Sequence, residues 1–210
     1  MENNMKTISY AITVCNELDE IQKLIPFILE HKREEDEIVV LWDARNGSTE
    51  VWDWLYPYRN EDFRLYSDKF EDHFGGWKNK LFAWSKKDYL FFIDADEIPH
   101  VNLIRIFPLI LESNNADLIW VPRVNTVEGI SQEDILRWKW QVNEKGWINW
   151  PDNQGRIVKN SENIRWSGNV HEHIVGFKTY ALLPFEEEWA LYHPKTIEKQ
   201  RKQNSLYDNL

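Results

Sequence analysis

Cysteine and long apolar runs are scarce in this chain of 210 residues. The one cysteine, Cys15, has no second cysteine with which to form an internal disulfide, so nothing indicates an oxidising compartment. The N-terminal segment MENNMKTISY lacks the basic and apolar stretches of a signal peptide, and no apolar run has the length that spans a bilayer. We therefore expect a cytoplasmic protein without a transmembrane segment.

Clusters of glycine and proline are also missing, although each residue occurs eight times. No internal repeat or low-complexity tract divides the chain, and its length lies at the upper end of the usual range for one domain. We predict a single domain over 1–210. The polar end of the sequence leaves open a longer polypeptide with further domains, and nothing in the sequence specifies an oligomeric state.

A surplus of positive charge is missing as well, because 25 Lys and Arg stand against 35 Asp and Glu, for a formal net charge of -10. Proteins that bind nucleic acids usually present a basic face, so we expect no nucleic-acid partner. A small phosphorylated ligand is still compatible with this charge if a metal ion neutralises its phosphates.

Tryptophan, by contrast, is abundant, with twelve residues. Its flat apolar surface and single hydrogen-bond donor suit the C–H faces of a sugar ring. The alternative is that the tryptophans fill the core, which is the commoner place for any one of them.

The first half of the chain alternates strand-like and helix-like segments. Strands are predicted where apolar and β-branched residues run together, at 8–14, 37–42, 63–66 and 88–93. Helices are predicted after the N-cap candidate Asn16 and at 49–56, 75–87 and 101–111. This alternation is typical of an α/β fold with a central, mostly parallel sheet flanked by helices.

The second half is less regular. We predict a strand at 117–124, shorter strands at 157–158, 169–175 and 189–192, and a polar helical tail at 196–207.

An acidic run, Asp94-Ala95-Asp96-Glu97, follows directly after the fourth predicted strand. In open α/β sheets, ligands bind beyond the carboxyl ends of the strands, and this run lies at such an end. Crowded carboxylates raise each other's pKa, and a divalent cation such as Mg²⁺ or Mn²⁺ removes that penalty. The alternative is that these acids cap the helix that follows.

Three stretches in the first half match motifs of a known protein family and occur in the same order along the chain. They are Thr13-Val-Cys-Asn-Glu17, Trp42-Asp43 followed by Asn46-Gly-Ser-Thr-Glu50, and Gly76-Trp-Lys-Asn79 ahead of Asp94-Ala-Asp96. Together they resemble the family 2 glycosyltransferases of the GT-A fold, a Rossmann-like single domain. The chain departs from the family's pattern at Lys78, which replaces the commoner arginine and loses its bidentate fork. It also carries Ala44-Arg45 as an insertion before Asn46.

The resemblance implies an inverting glycosyltransferase that moves a sugar from a nucleoside diphosphate sugar to a hydroxyl of a glycan acceptor. A UDP-sugar is the favoured donor, and Mn²⁺ or Mg²⁺ is the implied cofactor. Residues 1–100 would bind the nucleotide and residues 101–210 the acceptor. Thr13 and Asp43 would contact the nucleobase, Asp94 the ribose or the metal, and Asp96 the metal. The donor-binding set that the resemblance implies is Thr13, Cys15, Asn16, Glu17, Asp43, Lys78, Asn79, Asp94, Ala95, Arg156 and His171.

The catalytic base is predicted in the second half, where the resemblance continues in Pro151-Asp-Asn-Gln-Gly-Arg156, Trp166-Ser-Gly-Asn-Val-His-Glu172 and Leu191-Tyr-His193. An inverting transfer needs a carboxylate that takes the proton of the acceptor hydroxyl. Asp152 is the first candidate and Glu172 the second, and Glu133 and Asp134 are also open. The alternative for Asp152 is a turn residue after a proline.

Histidines and one arginine complete the predicted site. By the resemblance, His193 would be a metal ligand, with a hydrogen-bonded core histidine as the alternative. His171 and His173 would face the same side if they lay in one strand. For His171, a structural or phosphate-contacting role is as well supported as a catalytic one. Arg156 would pair with the donor phosphates or with a surface acid.

Two other functions remain open from the sequence alone. A sugar nucleotidyltransferase would make the activated sugar, but such enzymes usually begin with a glycine-rich basic loop, and residues 11–17 contain neither Gly nor Lys. A carbohydrate-binding module would use the tryptophans alone and would bind glycan without nucleotide or metal.

Overall fold

A computed structural model of the chain describes residues 5–169 and 171–207. Strands and helices alternate in the first half as β1 (Ile8–Val14), α1 (Leu18–His31), β2 (Glu37–Asp43), α2 (Thr49–Leu55), β3 (Phe63–Asp68), α3 (Phe74–Trp84) and β4 (Tyr89–Asp94). The remaining elements are β5 (Ile98–Pro99), α4 (Val101–Ser113), β6 (Leu118–Glu128), α5 (Gln132–Trp138), β7 (Ile148–Lys159), β8 (Arg165–Ser167), β9 (His173–Val175), β10 (Tyr180–Leu182), β11 (Leu191–Thr196) and α6 (Ile197–Tyr207). Short 3-10 helices cover Tyr56–Tyr58 and Glu187–Trp189.

One mixed sheet of nine strands, counted over the described residues, organises the fold. Its order is β3-β2-β1-β4-β7-β6-β11-β5, and β10 also pairs with β6. The strands β3, β2, β1 and β4 are parallel, and β7 runs antiparallel between β4 and β6. The predicted α/β fold, with a central, mostly parallel sheet flanked by helices, is confirmed.

Two apolar cores cover the two faces of the sheet. Because side chains alternate along a strand, Ile12 joins the core beneath α1, α2 and α4, whereas its neighbour Ala11 joins the core beneath α3 and the β8–β9 pair. Burial on both faces explains why β1, β2 and β4 consist almost entirely of apolar residues. Polar residues therefore collect at the strand ends.

The strand registers bring distant polar residues together. At the carboxyl end of the parallel strands, Thr13 lies beside Asp94. In the second half, Arg123 on β6 lies opposite Asp152 on β7. The strand β7 connects the two regions, because it pairs with β4 on one side and with β6 on the other.

Several predicted element boundaries in the first half are wrong. The helix α1 begins at Leu18 with Glu17 as its N-cap residue, not Asn16. The Glu17 carboxylate accepts hydrogen bonds from the backbone N–H groups of Cys15 and Asn16, so it holds the preceding loop instead of the first turn of the helix. The helix predicted at 75–87 ends at Trp84, because Ser85 is extended with a ψ of 139°.

In the second half, the main difference is β7, which spans Ile148–Lys159 although only 157–158 was predicted. The elements α5, β8 and β10 were not predicted at all. The strand predicted at 169–175 is found only as β9, and its residue Val170 lies outside the described residues. His171 precedes β9 with a φ of 56°, so the expectation that it shares a strand face with His173 is wrong. None of the described helices is both long and apolar enough to cross a membrane.

Candidate active site

A cavity of about 820 Å³ opens at the carboxyl ends of β1, β2 and β4 and extends across β6, β7 and β11. The residues predicted from the motifs that line it are Thr13, Cys15, Glu17, Asp43, Lys78, Asp94, Ala95, Asp96, Asp152, Arg156, His171, Glu172 and His193. Within the described part of the chain, Asn16 and Asn79 do not line it. Asn79 instead fastens α3 to β8, since its amide donates to the carbonyl of Trp166 at 2.9 Å and accepts from the N–H of that residue at 2.8 Å.

Asp43 occupies the end of the cavity next to β2. One carboxylate oxygen, Oδ1, accepts the backbone N–H groups of Arg45 at 2.8 Å and Phe70 at 3.1 Å, and Oδ2 accepts the Asn46 side-chain amide at 2.9 Å. Burial opposes ionisation of Asp43, but these hydrogen bonds hold its pKa below the usual value. The inserted Arg45 therefore helps to fix the carboxylate.

Gly47 allows the tight turn that follows Asp43. A Cβ atom on Gly47 would lie 2.3 Å from the backbone carbonyl oxygen of Asp43 and 2.5 Å from Nε1 of Trp42. Only glycine fits this close approach, which is why the Asn-Gly-Ser segment positions the carboxylate as it does.

Cys15 lies beside Asp43, with its Sγ atom 3.9 Å from Oδ2. Burial, together with the charges of Glu17 and Asp43, raises the pKa of the Cys15 thiol to about 12. The side chain is therefore a neutral thiol at physiological pH and is not a nucleophile.

Asp94 lies at the end of β4 between two cations. Its Oδ1 atom is 3.0 Å from Nζ of Lys78, and its Oδ2 atom is 2.7 Å from Nη2 of Arg156. Although burial disfavours the ionised form, Arg156 and Lys78 hold the pKa of Asp94 well below its usual range. Lys78 also lies 2.9 Å from Glu172, which ties the loop before β9 to the same cluster.

Glu97 is a buried residue behind the cavity wall that the motifs did not single out. It is fully buried, and its Oε1 atom accepts from Nη1 of Arg123 at 3.0 Å and from Nη2 of Arg156 at 2.6 Å. Its Oε2 atom accepts the backbone N–H of Asp94 at 3.1 Å. Glu97 thus anchors both arginines, and its position in the acidic run after an apolar strand was the signal that could have revealed it.

Asp152 lies on β7 and is held by three side chains. Its Oδ2 atom accepts from Nη2 of Arg123 at 2.7 Å and from Nδ2 of Asn125 at 2.8 Å, whereas Oδ1 accepts from Nε2 of Gln154 at 2.7 Å. Burial opposes ionisation, but Arg123 and these hydrogen bonds lower the pKa of Asp152. The carboxylate is therefore ionised, and Oδ1 is its less occupied oxygen.

The other acids considered from the sequence lie in different surroundings. Asp134 is the third residue of α5 and completes a capping box with the N-cap residue Ser131, and it pairs with Arg201 at 3.0 Å. Among the described residues, neither Asp134 nor Glu133 lines the cavity, whereas Glu172 does.

Asp96 and His193 face each other across the cavity floor, with Oδ2 of Asp96 3.4 Å from Nε2 of His193. Burial opposes ionisation of Asp96, but His193 and Lys199, whose Nζ is 3.3 Å away, hold its pKa well below the usual range. Two arrangements satisfy this geometry: a proton on Nε2 that is shared with the carboxylate, or a metal ion that both atoms bind.

The metal implied by the resemblance can be tested against these residues. Among the described residues, no three His, Cys, Asp or Glu side chains are grouped so as to hold a metal ion. Asp96 nevertheless offers a carboxylate oxygen, which suits Mn²⁺ and Mg²⁺, and His193 offers an imidazole nitrogen, a ligand of transition-metal ions. Such ions commonly bind through one or two carboxylates plus substrate phosphates. The pair therefore fits a cation whose remaining ligands come from a phosphate group or water.

The tryptophans contribute to both core and cavity. Trp42, Trp77 and Trp166 are buried, as expected for core residues, and Trp77 and Trp166 also line the cavity. Trp140 lines the cavity on the side of the second half and packs against Trp138 with ring centroids 4.7 Å apart. An aromatic surface is thus available at the end of the cavity opposite Asp43.

Comparison with known proteins places this geometry in a family. The sequence profile of Glycosyl transferase family 2 matches residues 9–180, well over half of the chain. A comparison with curated proteins found no significant match.

One similar solved structure is S. aureus TarS 1–349 in complex with UDP-GlcNAc, with a TM-score of 0.62 at 13% sequence identity. The alignment covers 91% of this chain and 59% of the TarS chain. TarS 1–349 in complex with UDP gives a TM-score of 0.64 at 12% identity and covers 90% of this chain. This chain spans 60% of that TarS 1–349 chain and 37% of the longer S. aureus TarS chain. At these identities the likeness concerns the fold.

The extent of the profile match favours sugar transfer over the nucleotidyltransferase and the carbohydrate-binding module considered from the sequence. The chain belongs to Glycosyl transferase family 2 and has the GT-A fold.

Proposed function

We propose that this chain transfers a sugar from a UDP-sugar to a hydroxyl of a glycan acceptor, with inversion at the anomeric carbon and with Mn²⁺ or Mg²⁺ bound. The observation that carries the proposal is that Asp43, Asp96, His193 and Asp152 line one cavity. The cavity volume of about 820 Å³ lies within the roughly 300–1,000 Å³ typical of small-ligand sites. Two of the similar TarS structures hold UDP-GlcNAc and UDP.

Asp43 and Thr13 would bind the nucleobase. The Asp43 carboxylate is ionised and fixed by three donors, so it can accept a hydrogen bond but cannot donate one. It therefore favours a base that presents a ring N–H group, such as uracil, over cytosine, whose corresponding nitrogen is an acceptor. This reasoning supports a uridine nucleotide and leaves guanine and thymine, which also carry a ring N–H group, as the bases to be compared with it.

Asp96 and His193 would hold the cation, which when bound neutralises the charge that develops on the diphosphate leaving group. Asp94, which Lys78 and Arg156 hold in place, would contact the ribose or approach the cation as a further ligand.

Asp152 is the proposed base. Its Oδ2 atom is occupied by Arg123 and Asn125, so Oδ1 would take the proton of the acceptor hydroxyl. Its lowered pKa keeps it ionised but makes it a weak base, so the proton would move late, after bond formation has begun to acidify the hydroxyl. Glu172 is the second candidate, although its pairing with Lys78 at 2.9 Å engages one of its oxygens.

The test is a panel of UDP-, GDP- and dTDP-sugars, assayed for release of the nucleotide with Mn²⁺ and with a chelator. We expect release from UDP-sugars in the presence of Mn²⁺. The variant Asp96→Ala should lose Mn²⁺-dependent UDP binding in calorimetry, whereas Glu162→Ala, a change of an exposed acid, should bind as the parent protein does. Unchanged UDP affinity in Asp96→Ala would refute the assignment of the cation site.

A further inference from the structure

Asn125, on the strand between β7 and β11, contacts both ends of the proposed reaction centre. Its Nδ2 atom lies 2.8 Å from Oδ2 of Asp152, and its Oδ1 atom lies 2.8 Å from Nδ1 of His193. We infer that Asn125 is a positioning residue that sets the tautomer of His193 for cation binding and at the same time orients the Asp152 carboxylate. The inference rests on the proposed function, which assigns those two residues to the cation and to the base.

The orientation of the Asn125 amide follows from its partners. A carboxylate can only accept hydrogen bonds, so the NH₂ group of the amide must face Asp152. The amide oxygen then faces His193, and because that oxygen cannot donate, Nδ1 of His193 must carry a proton. One amide thus fixes the hydrogen-bond direction on both sides.

The consequence for His193 concerns its other nitrogen. With the proton held on Nδ1, a neutral imidazole presents the lone pair of Nε2 toward Asp96, 3.4 Å away. That lone pair is what a metal ion needs, and metal-binding histidines commonly donate their second ring N–H to a carbonyl or carboxylate. Without Asn125, the neutral ring would place its proton on Nε2 and donate it to Asp96, which would block the metal.

The consequence for Asp152 concerns which oxygen is available. Asn125 and Arg123 both bind Oδ2, so they hold the carboxylate with Oδ1 as its less occupied oxygen. Gln154 provides a matched control, because it donates to Oδ1 of Asp152 and has no contact with His193 among those described. A change at Gln154 should therefore disturb the base without disturbing the histidine.

The experiment compares Asn125→Leu, Asn125→Asp and Gln154→Leu. The histidine nitrogens are observed by NMR in ¹⁵N-histidine-labelled, metal-free protein at about pH 9. This pH lies well above the ordinary imidazole pKa of about 6.5. The signals of His193 are assigned by their absence in His193→Gln. We expect a protonated Nδ1 in the parent protein and in Gln154→Leu, and an unprotonated Nδ1 in Asn125→Leu.

Cation affinity gives the second measurement. Asn125→Leu should weaken Mn²⁺ binding in calorimetry by about 10–100-fold, the usual cost of losing a partner of a metal ligand. Asn125→Asp can still accept the Nδ1 proton, so it should bind Mn²⁺ at least as tightly as the parent protein. It places a second carboxylate against Asp152, however, so its kcat should fall while its KM for the donor changes little.

Three results separate the possible failures. A protonated Nδ1 together with parental Mn²⁺ affinity in Asn125→Leu would overturn the inference, provided that thermal unfolding shows the variant to be folded. Parental kcat in Asn125→Asp would overturn the link to Asp152. If the parent protein bound neither UDP nor Mn²⁺, the proposed function would fail, but the Nδ1 signal of the metal-free protein would still decide whether Asn125 sets the tautomer.

Discussion

The substitution Glu97→Gln probes the buried network on which the site depends. Glu97 is fully buried, and its two oxygens accept hydrogen bonds from Arg123, Arg156 and the backbone N–H of Asp94. Glutamine keeps the shape of the side chain but has a single acceptor oxygen. Its NH₂ group must then face a donor, so at least one buried donor loses its partner.

The expected cost follows from the burial of the partners. Breaking a buried ion pair costs about 3–5 kcal/mol. The lower value of about 3 kcal/mol applies here, because Arg123 and Arg156 each keep a second carboxylate partner, Asp152 and Asp94. For a chain of this size, each kcal/mol corresponds to about 2–4 °C in Tm, so the variant should melt about 6–12 °C lower. Arg123 and Arg156 also hold Asp152 and Asp94, so sugar transfer should fall even at temperatures at which the variant is folded.

Thermal unfolding followed by circular dichroism, with urea unfolding as a second measure, tests this expectation. The control is Lys145→Ala, which breaks the pair between Lys145 and Glu187, whose side chains are 60% and 42% exposed. An exposed pair of this kind contributes at most about 1 kcal/mol. If Glu97→Gln and Lys145→Ala lowered Tm by similar small amounts, the assignment of Glu97 as the anchor of the site would be refuted.

Three further predictions concern the base, the turn at Gly47 and acidity. Asp152→Asn should lower kcat by about 10²–10⁴-fold, as for loss of a general base, with little change in the donor KM. If steady-state kinetics show this loss of kcat in Glu172→Gln and not in Asp152→Asn, Glu172 is the base. Gly47→Ala should lower Tm by about 2–12 °C, because the new Cβ would lie 2.3 Å from a backbone oxygen and overpacking costs about 1–3 kcal/mol. An unchanged melting curve would contradict this close approach of Gly47 to the backbone of Asp43. The lowered pKa values of Asp43 and Asp152 stabilise the fold above the ordinary carboxyl pKa of about 3.9. This stabilisation is lost as pH falls through the folded-state pKa values, so the free energy of unfolding, measured with urea, should decrease once the pH is below about 4. An unfolding free energy that stays constant down to about pH 2 would contradict this prediction.

The parallel half of the sheet could be predicted because its strands are covered on both faces. Continuous apolar runs mark such strands in the sequence, and β1 was predicted with the bounds Ile8–Val14 that the structure has. The polar residues that follow, Thr13 to Glu17 and Asp94 to Glu97, then had to meet at one edge of the sheet, and most of them line the cavity.

The strand β7 was missed because one of its faces is built from site residues. Asp152, Gln154 and Arg156 occupy alternate positions and all line the cavity, so the strand has no apolar face there for hydrophobic periodicity to detect. The alternation of three polar, hydrogen-bonding residues was itself the available signal. Asn125 had no local signal, because its importance arises from the order β7-β6-β11, which is a property of the whole sheet.

The charge of the cavity wall supports the proposal that a cation binds together with the donor. Among the described residues that line the cavity, carboxylates outnumber lysines and arginines. Lys78 and Arg156 are 6% and 3% exposed, and each pairs with Asp94 and with a second carboxylate, Glu172 for Lys78 and Glu97 for Arg156, so most of their charge is already neutralised within the protein. On the proposed function, a diphosphate that enters this cavity would therefore gain from positive charge supplied from solution, and Asp96 with His193 is the pair proposed to bind that cation. On this reasoning, the proposed metal dependence is a consequence of how the chain has paired its own buried charges.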